Sequence, residues 1–331
     1  MKNNLLEGMN AIYQSGDIKN WTGRKINPAK GNQYWYQAIE MQDASNVDKS
    51  NSNFALLGYC CEEGVRRNLG RVGAAHGPKA IREKLAKLAF HLDEKNIADY
   101  GDVICVEEDM ESCQLAFSKI ISHLIQQQIF PIGMGGGHDI AYAHFMGIWD
   151  AIKNTHKRKI GIVNFDAHFD LRPVEGKGNS GTPFNQILNE FESVQYFPIG
   201  IQKASNTKEL LEIARKENIE YIDYFDCVHL DTCLHASTQT LQQKLNVFME
   251  ANDYIYISID LDGFSSAYAM GVSAPSPLGF SPHFVFEILQ KLFASNKVIA
   301  CDIAELNPSF DADNLTANLA ARLVDYIVSI Q

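Results

Sequence analysis

The sequence predicts an α/β protein, a three-layer α/β/α sandwich around a mainly parallel sheet. Short apolar runs alternate with longer stretches of helical period, the order that builds strand–helix–strand units. The runs are continuously apolar instead of alternating, as expected when helices cover both faces of a sheet. Candidate strands are Phe54–Cys60, Ile129–Met134, Lys159–Phe165, Val194–Ile201, Tyr254–Ile259 and Val298–Ile303. Candidate helices are Gly77–Leu88, Met110–Gln127, Asp139–Lys153, Asn206–Glu217, Ser237–Met249, Pro282–Phe293 and Asp313–Ser329. Ligands of such sheets collect at the carboxyl ends of the strands, so function is expected in the polar residues just after apolar runs.

At 331 residues and 46% apolar, the chain can bury a large core without disulfide or metal staples. Residues 1–53 are polar and weakly periodic and read as an N-terminal arm or lid, with Asp43–Asn53 its linker-like end. Nothing splits residues 54–331, which read as a single catalytic domain. Lys plus Arg number 29 against 40 Asp plus Glu, a formal charge of −11. That argues against nucleic acid as a partner, and an anionic substrate would need a local cationic anchor. No apolar run approaches the ~18 residues of a spanning helix, and Met1–Gln14 lacks the apolar core and cleavage site of a signal peptide. The seven cysteines (Cys60, Cys61, Cys105, Cys113, Cys227, Cys233, Cys301) are odd in number and form no CxxC pair. They read as reduced, mostly buried thiols of a cytoplasmic protein.

Three acidic clusters follow three of the strands. Gly135-Gly136-Gly137-His138-Asp139 follows the second, Asp166-Ala167-His168-Phe169-Asp170 the third and Asp260-Leu261-Asp262-Gly263 the fifth. In an extended chain, residues i, i+2 and i+4 share one face at about 7 Å per step. Asp166, His168 and Asp170 are therefore expected to project together, as are Asp260 and Asp262, with His138 arriving from a glycine turn. Two imidazoles and four aspartates suit Mn²⁺ or Mg²⁺ and tolerate Zn²⁺ or Fe²⁺. Four crowded carboxylates repel one another, and two divalent ions would cancel their charge where one cancels half. A lone DxD is commonly a cap or a turn, but three such clusters at strand ends point to a dinuclear centre. The glycine run has neither the GxxxxGK[ST] nor the GxGxxG spacing, which disfavours a phosphate cradle or a dinucleotide site.

These residues resemble the ureohydrolase family of arginases, agmatinases and formimidoylglutamases. The likeness runs from about Phe54 to the C-terminus through GGGHD at Gly135–Asp139, NFDAHFD at Asn164–Asp170, SIDLDGF at Ser258–Phe264 and DIAELNPSFD at Asp302–Asp311. The resemblance implies an arginase-like fold, two Mn²⁺ ions per subunit, and His138, Asp166, His168, Asp170, Asp260 and Asp262 as their ligands. It places Glu305 against the cationic amidine group of the substrate. It also implies a homo-oligomer. Within the family, Glu63–Ala74 with its doubled arginine, Trp21–Arg24 and Asn179–Phe184 look like the formimidoylglutamases. Phe184 stands where arginases carry a substrate-serving histidine.

The expected reaction is therefore hydrolysis of N-formimidoyl-L-glutamate to L-glutamate and formamide, a step of histidine breakdown, by attack of a metal-bridging hydroxide on the formimidoyl carbon. Asp170 is expected to carry the proton to the departing nitrogen. Arg172, two residues after Asp170, is the first choice to read a substrate carboxylate; Asn179, Arg66 and Arg67 are further candidates. An arginase, agmatinase or guanidino-acid hydrolase releasing urea is the alternative within the family. A non-catalytic binding protein on the same fold is the alternative outside it.

Overall fold

The structure is a computed structural model that describes residues 6–231 and 235–331. Cys233 lies outside the described residues. The strands are β1 (Ala11–Gln14), β2 (Glu40–Met41), β3 (Phe54–Cys60), β4 (Ile97–Cys105), β5 (Phe130–Gly135), β6 (Ile160–Phe165), β7 (Val194–Ile201), β8 (Ile222–Asp223), β9 (Tyr254–Asp260) and β10 (Val298–Ala304). They form one sheet in the order β1-β4-β3-β5-β10-β9-β6-β7-β8, with β2 beside β4. Every pairing is parallel except β1 with β4.

Strand residues alternate between two cores, which is why the apolar runs are continuous. Leu56, Ile132, Phe165, Ile257 and Ile303 face one core with the helices Gly77–Leu85, Pro282–Ala294 and Leu315–Ile330. Ala55, Leu57, Ile162, Tyr256 and Ala300 face the other with Met110–Gln126, Ile140–Ile152 and Pro183–Glu190. Two helix-covered faces make the three layers. Among the described residues no helix is long and apolar enough to cross a membrane. Cys60 and Cys105 are half-buried, Cys61, Cys113, Cys227 and Cys301 buried, all as free thiols.

The six candidate strands are all present, with ends shifted by a residue or so. Four strands are absent from the sequence reading: the short β1, β2 and β8, and the nine-residue β4, whose text (IADYGDVIC) is broken by Asp99, Gly101 and Asp102. Those residues are accommodated by Arg82, which is fully buried and donates to Asp99 (2.8 Å), Asp102 (2.6 Å) and the Gly101 carbonyl (2.7 Å). Gly101 has φ +82°, and the β3–β4 register shifts between Leu56 and Gly58.

The segment before β3 packs onto the sheet edge. β1 extends the sheet beyond β4, and Trp21 and Trp35 are buried in the first core. Each indole N–H donates to a distant carboxylate, Trp21 to Asp99 and Trp35 to Asp325, both at 2.7 Å. These partners satisfy the polar edge of each buried ring. No described residue of this segment lines the cavity described next.

Candidate metal centre and active site

Strands β5, β10, β9 and β6 are neighbours in the middle of the sheet, and each ends in a functional segment. β5 leads into the glycine turn before His138. The Gly136 and Gly137 amides donate to the Tyr59 and Cys61 carbonyls at the end of β3 (2.9 and 3.0 Å). A Cβ on Gly136 would lie 1.9 Å from the Cys61 oxygen, so only glycine allows this approach. Tyr59 also donates to Asp139 (2.6 Å), which ties the turn down from below.

β6 delivers Asp166, His168 and Asp170. The chain here is not the simple extended strand that the i, i+2, i+4 argument assumes. Asp170 has φ +47°, a left-handed residue, and this bend swings its carboxylate back toward His138. β9 delivers Asp260 and, through the short turn Leu261–Gly263, Asp262, whose amide donates to Asp260 Oδ1 (2.8 Å). β10 delivers Glu305, itself at φ +69°.

The six expected ligands converge. His138 Nδ1 lies 2.8 Å from Asp170, 3.1 Å from Asp260 and 3.2 Å from Asp166. His168 Nδ1 lies 3.2 Å from Asp262 and 3.3 Å from Asp166. Asp166 joins the two groups: Oδ2 faces His138 and Oδ1 faces His168. Two clusters result, each with ligand atoms within 4.8 Å of one another: His138, Asp166, Asp170 and Asp260; and Asp166, His168 and Asp262.

Several groups absent from the sequence reading hold these ligands in place. His138 Nε2 contacts the Ser258 hydroxyl (3.0 Å), which donates to Asp302 (2.6 Å). Asp302 in turn meets His144 and Tyr256. With Nε2 occupied, Nδ1 is the ring nitrogen left for the carboxylate side. Asn164 donates to Asp166 (3.1 Å). Ser258 and Asp302 both lie inside family-like segments, so their position was visible and only their partners were not.

The donor set fits divalent cations. Burial, together with Asp262 and Asp166, pushes the Asp260 carboxyl far up. Burial, with the His168 ring opposing, raises Asp262 to about 6, and burial with Asp262 nearby raises Glu305 to about 8. Burial disfavours charge on His138, yet Asp260, Asp166 and Asp170 outweigh it and raise that imidazole. The protein alone thus neutralises the cluster with protons, as carboxylates crowded out of water must. Asp262 Oδ1 and Glu305 Oε2 are buried without a hydrogen-bond partner among the described residues, which leaves lone pairs for a cation. Each of the two clusters offers three or four nitrogen and oxygen donors, a set that suits a divalent cation.

Above the ligands lies a cavity of about 320 Å³, lined by His138, His168, Asp170, Asp260, Asp262 and Glu305 below and by Asn68, Arg71, Arg172 and Ser273 nearer its mouth. Arg172 reaches it as expected and donates to Asn68 (3.1 Å). Arg66 and Arg67 do not. They sit on the short helix Glu63–Arg67, where the i, i+3 and i, i+4 spacing places Glu63 and Glu62 beneath them. Arg66 is exposed and pairs with Glu63 (3.0 Å). Arg67 is clamped by Glu63 (3.0 Å), Glu111 (2.6 Å) and the Gly178 carbonyl. Asn179 also falls outside the lining, because its side chain accepts from the Gly181 amide (2.8 Å) and folds back on its own loop; Ser180 lines the cavity instead. Phe184 is buried, edge-on to His138 (5.4 Å) and stacked on Tyr196 (4.4 Å), so it packs the ligand ring from behind.

Residues 52–329 match the arginase family model. The chain is 40% identical over 305 residues to a formimidoylglutamase of Clostridium tetani, covering 89% of this chain and 88% of that protein. It is 38% identical over 318 residues to a formimidoylglutamase of Lysinibacillus sphaericus, covering 95% and 96%. In three dimensions it is similar to the formimidoylglutamase of Bacillus subtilis (TM-score 0.78, 21% identity, 92% and 93% of the two chains). It is likewise similar to a Trypanosoma cruzi formiminoglutamase variant with Mn²⁺ (TM-score 0.74, 22% identity, 87% and 97%). The extent of the family match, and relatives this similar over nearly their whole length, establish that the chain belongs to the arginase family.

Proposed function

We propose that this enzyme hydrolyses N-formimidoyl-L-glutamate to L-glutamate and formamide, using two Mn²⁺ ions held by the paired clusters. The observation that carries the reading is the buried Asp166 carboxylate shared by two ligand groups whose other members line a cavity with arginines at its mouth. The named activity of relatives at 36–40% identity supports the substrate. His138, Asp166, Asp170 and Asp260 would hold one ion, and Asp166, His168 and Asp262 the other. Bound there, the metals would supply Lewis acidity, which lowers the pKa of bound water and makes a nucleophile available near neutral pH.

The chain's own groups do the rest. Glu305 Oε1 accepts from the His138 amide (2.9 Å), which fixes the side chain, and Oε2 is free to take an N–H of the substrate's amidinium. That bond holds the formimidoyl carbon electrophilic and at a set distance from the floor. Asp170 borders the same cavity and would take a proton from the attacking water and pass it to the departing glutamate nitrogen, which would be too basic to leave as an anion. Arg172, with which no acid pairs among the described residues, meets a substrate carboxylate at the mouth.

Product analysis tests this. Mn²⁺-loaded protein offered formimidoylglutamate, arginine, agmatine and guanidinobutyrate in parallel should release glutamate and formamide from the first alone. Urea from any of the others would overturn the substrate while leaving the metal reading intact. Loading itself should register as stability. At a hundred times its Kd, Mn²⁺ should add about 2.7 kcal/mol to the folded state, a rise of a few degrees in melting temperature that excess EDTA reverses. An unchanged melting curve with metal present would count against the site.

A further inference from the structure

Arg71 lines the cavity mouth, and among the described residues no acid pairs with it. Its guanidinium is nonetheless held firmly. Nε donates to the Ser273 carbonyl (2.9 Å), Nη2 donates to the Val272 carbonyl (2.5 Å), and the Phe310 ring lies 4.1 Å from its central carbon. Its main chain is fastened too: the amide donates to the Ser273 hydroxyl (2.9 Å), and the carbonyl accepts from Asn307 (2.9 Å). Every one of these partners is neutral, and among the described residues no hydrogen-bond partner meets Nη1. An arginine fixed in this way has already lost its rotamer freedom and still has its full charge to offer a ligand.

Arg67 and Arg82 show how this chain treats arginines that serve structure: each is neutralised by two acids. Arg71 and Arg172 are treated differently. Both line the cavity, the Arg172 guanidinium donates to the Asn68 amide oxygen, and among the described residues no acid pairs with either. The five carboxylates on or beside the floor are outside ion-pairing distance of both. Two uncompensated cations at the mouth of an acidic cavity match a ligand with two carboxylates and one cationic group.

We propose that Arg71 is a specificity-determining residue that takes one carboxylate of the substrate through Nη1, while Arg172 takes the other. The site then selects dicarboxylate amidines over monocarboxylate and amine-bearing ones. The assignment rests on the formimidoylglutamate reading above.

The experiment compares Mn²⁺-loaded wild type, Arg71→Gln, Arg71→Lys and Arg172→Ala. The substrates are N-formimidoyl-L-glutamate and two analogues that each lack one carboxylate charge, N-formimidoyl-4-aminobutyrate and N-formimidoyl-L-glutamine. Arg71→Gln should raise KM for the parent about 10- to 100-fold, the factor one charge-assisted hydrogen bond supplies, with kcat nearly unchanged. It should leave KM untouched for whichever analogue lacks the carboxylate that Arg71 reads. Arg172→Ala should show the reciprocal pattern, and Arg71→Lys should recover part of the loss. Equal losses on all three substrates, or a fall in kcat alone, would make Arg71 a staple for its loop and overturn the proposal. Calorimetric binding of glutarate, which needs no turnover, separates the two readings. If wild type ignores formimidoylglutamate but Arg71→Gln weakens glutarate binding, the reaction is wrong and the clamp stands. If wild type turns the substrate over and Arg71→Gln alters neither KM nor glutarate affinity, the clamp is wrong and the reaction stands.

Discussion

Asp166→Asn is expected to abolish hydrolysis and to leave the protein unable to hold two ions. The two Asp166 oxygens face different imidazoles at 3.2 and 3.3 Å. An amide keeps one acceptor and turns an N–H₂ group toward the other cluster, where it would oppose a cation. Lewis-acid stabilisation of several kcal/mol is lost with the second ion, so kcat should fall by about 10³-fold or more. Metal content should drop from two ions to one or none by elemental analysis. The metal-free variant should melt below metal-free wild type, because the His138 and His168 rings that hold the Asp166 carboxylate ionised lose a shared buried partner. Retention of two ions with near-normal turnover would exclude Asp166 as the shared ligand.

Arg82→Met should cost about 3–5 kcal/mol of stability, the loss seen when one partner of a buried charge network is removed. Arg82 is fully buried, and its departure strands Asp99 and Asp102 inside the protein, on a strand that pairs with β1, β2 and β3. Asp99 also accepts from Trp21, so the damage reaches the edge on which the N-terminal segment packs. Urea unfolding followed by tryptophan fluorescence checks this, and the midpoint should move well below wild type. Arg82→Lys should rescue little, since one ammonium cannot reproduce the planar fork that meets both carboxylates and the Gly101 carbonyl. A midpoint within a few tenths of a kcal/mol of wild type would show that this network contributes no net stability.

The contrast between these two sites follows a physical division. Residue order by itself determined the layered α/β architecture and the six metal-ligand candidates. Strand hydrophobicity is a local property that follows from burial on both faces, and the ligands sit directly after those runs at strand ends. Burying that many carboxylates demands a counter-charge wherever they fold, so their chemistry could be read before their geometry.

What tertiary structure decided are the interactions between residues far apart in the chain. β4 is hidden because its polar residues are neutralised by Arg82 from a helix of another segment. The tryptophans of the first fifty residues gain their meaning only from Asp99 and Asp325, 78 and 290 positions away. Arginine is the clearest case. Arg66, Arg67, Arg71 and Arg172 are the same residue type, and the first three lie within six positions of one another, yet Glu62, Glu63 and Glu111 spend the charge of the first two, while among the described residues neutral groups hold the others at the cavity. An arginine's role depends on which charges lie within a few ångströms of it, and folding sets those distances.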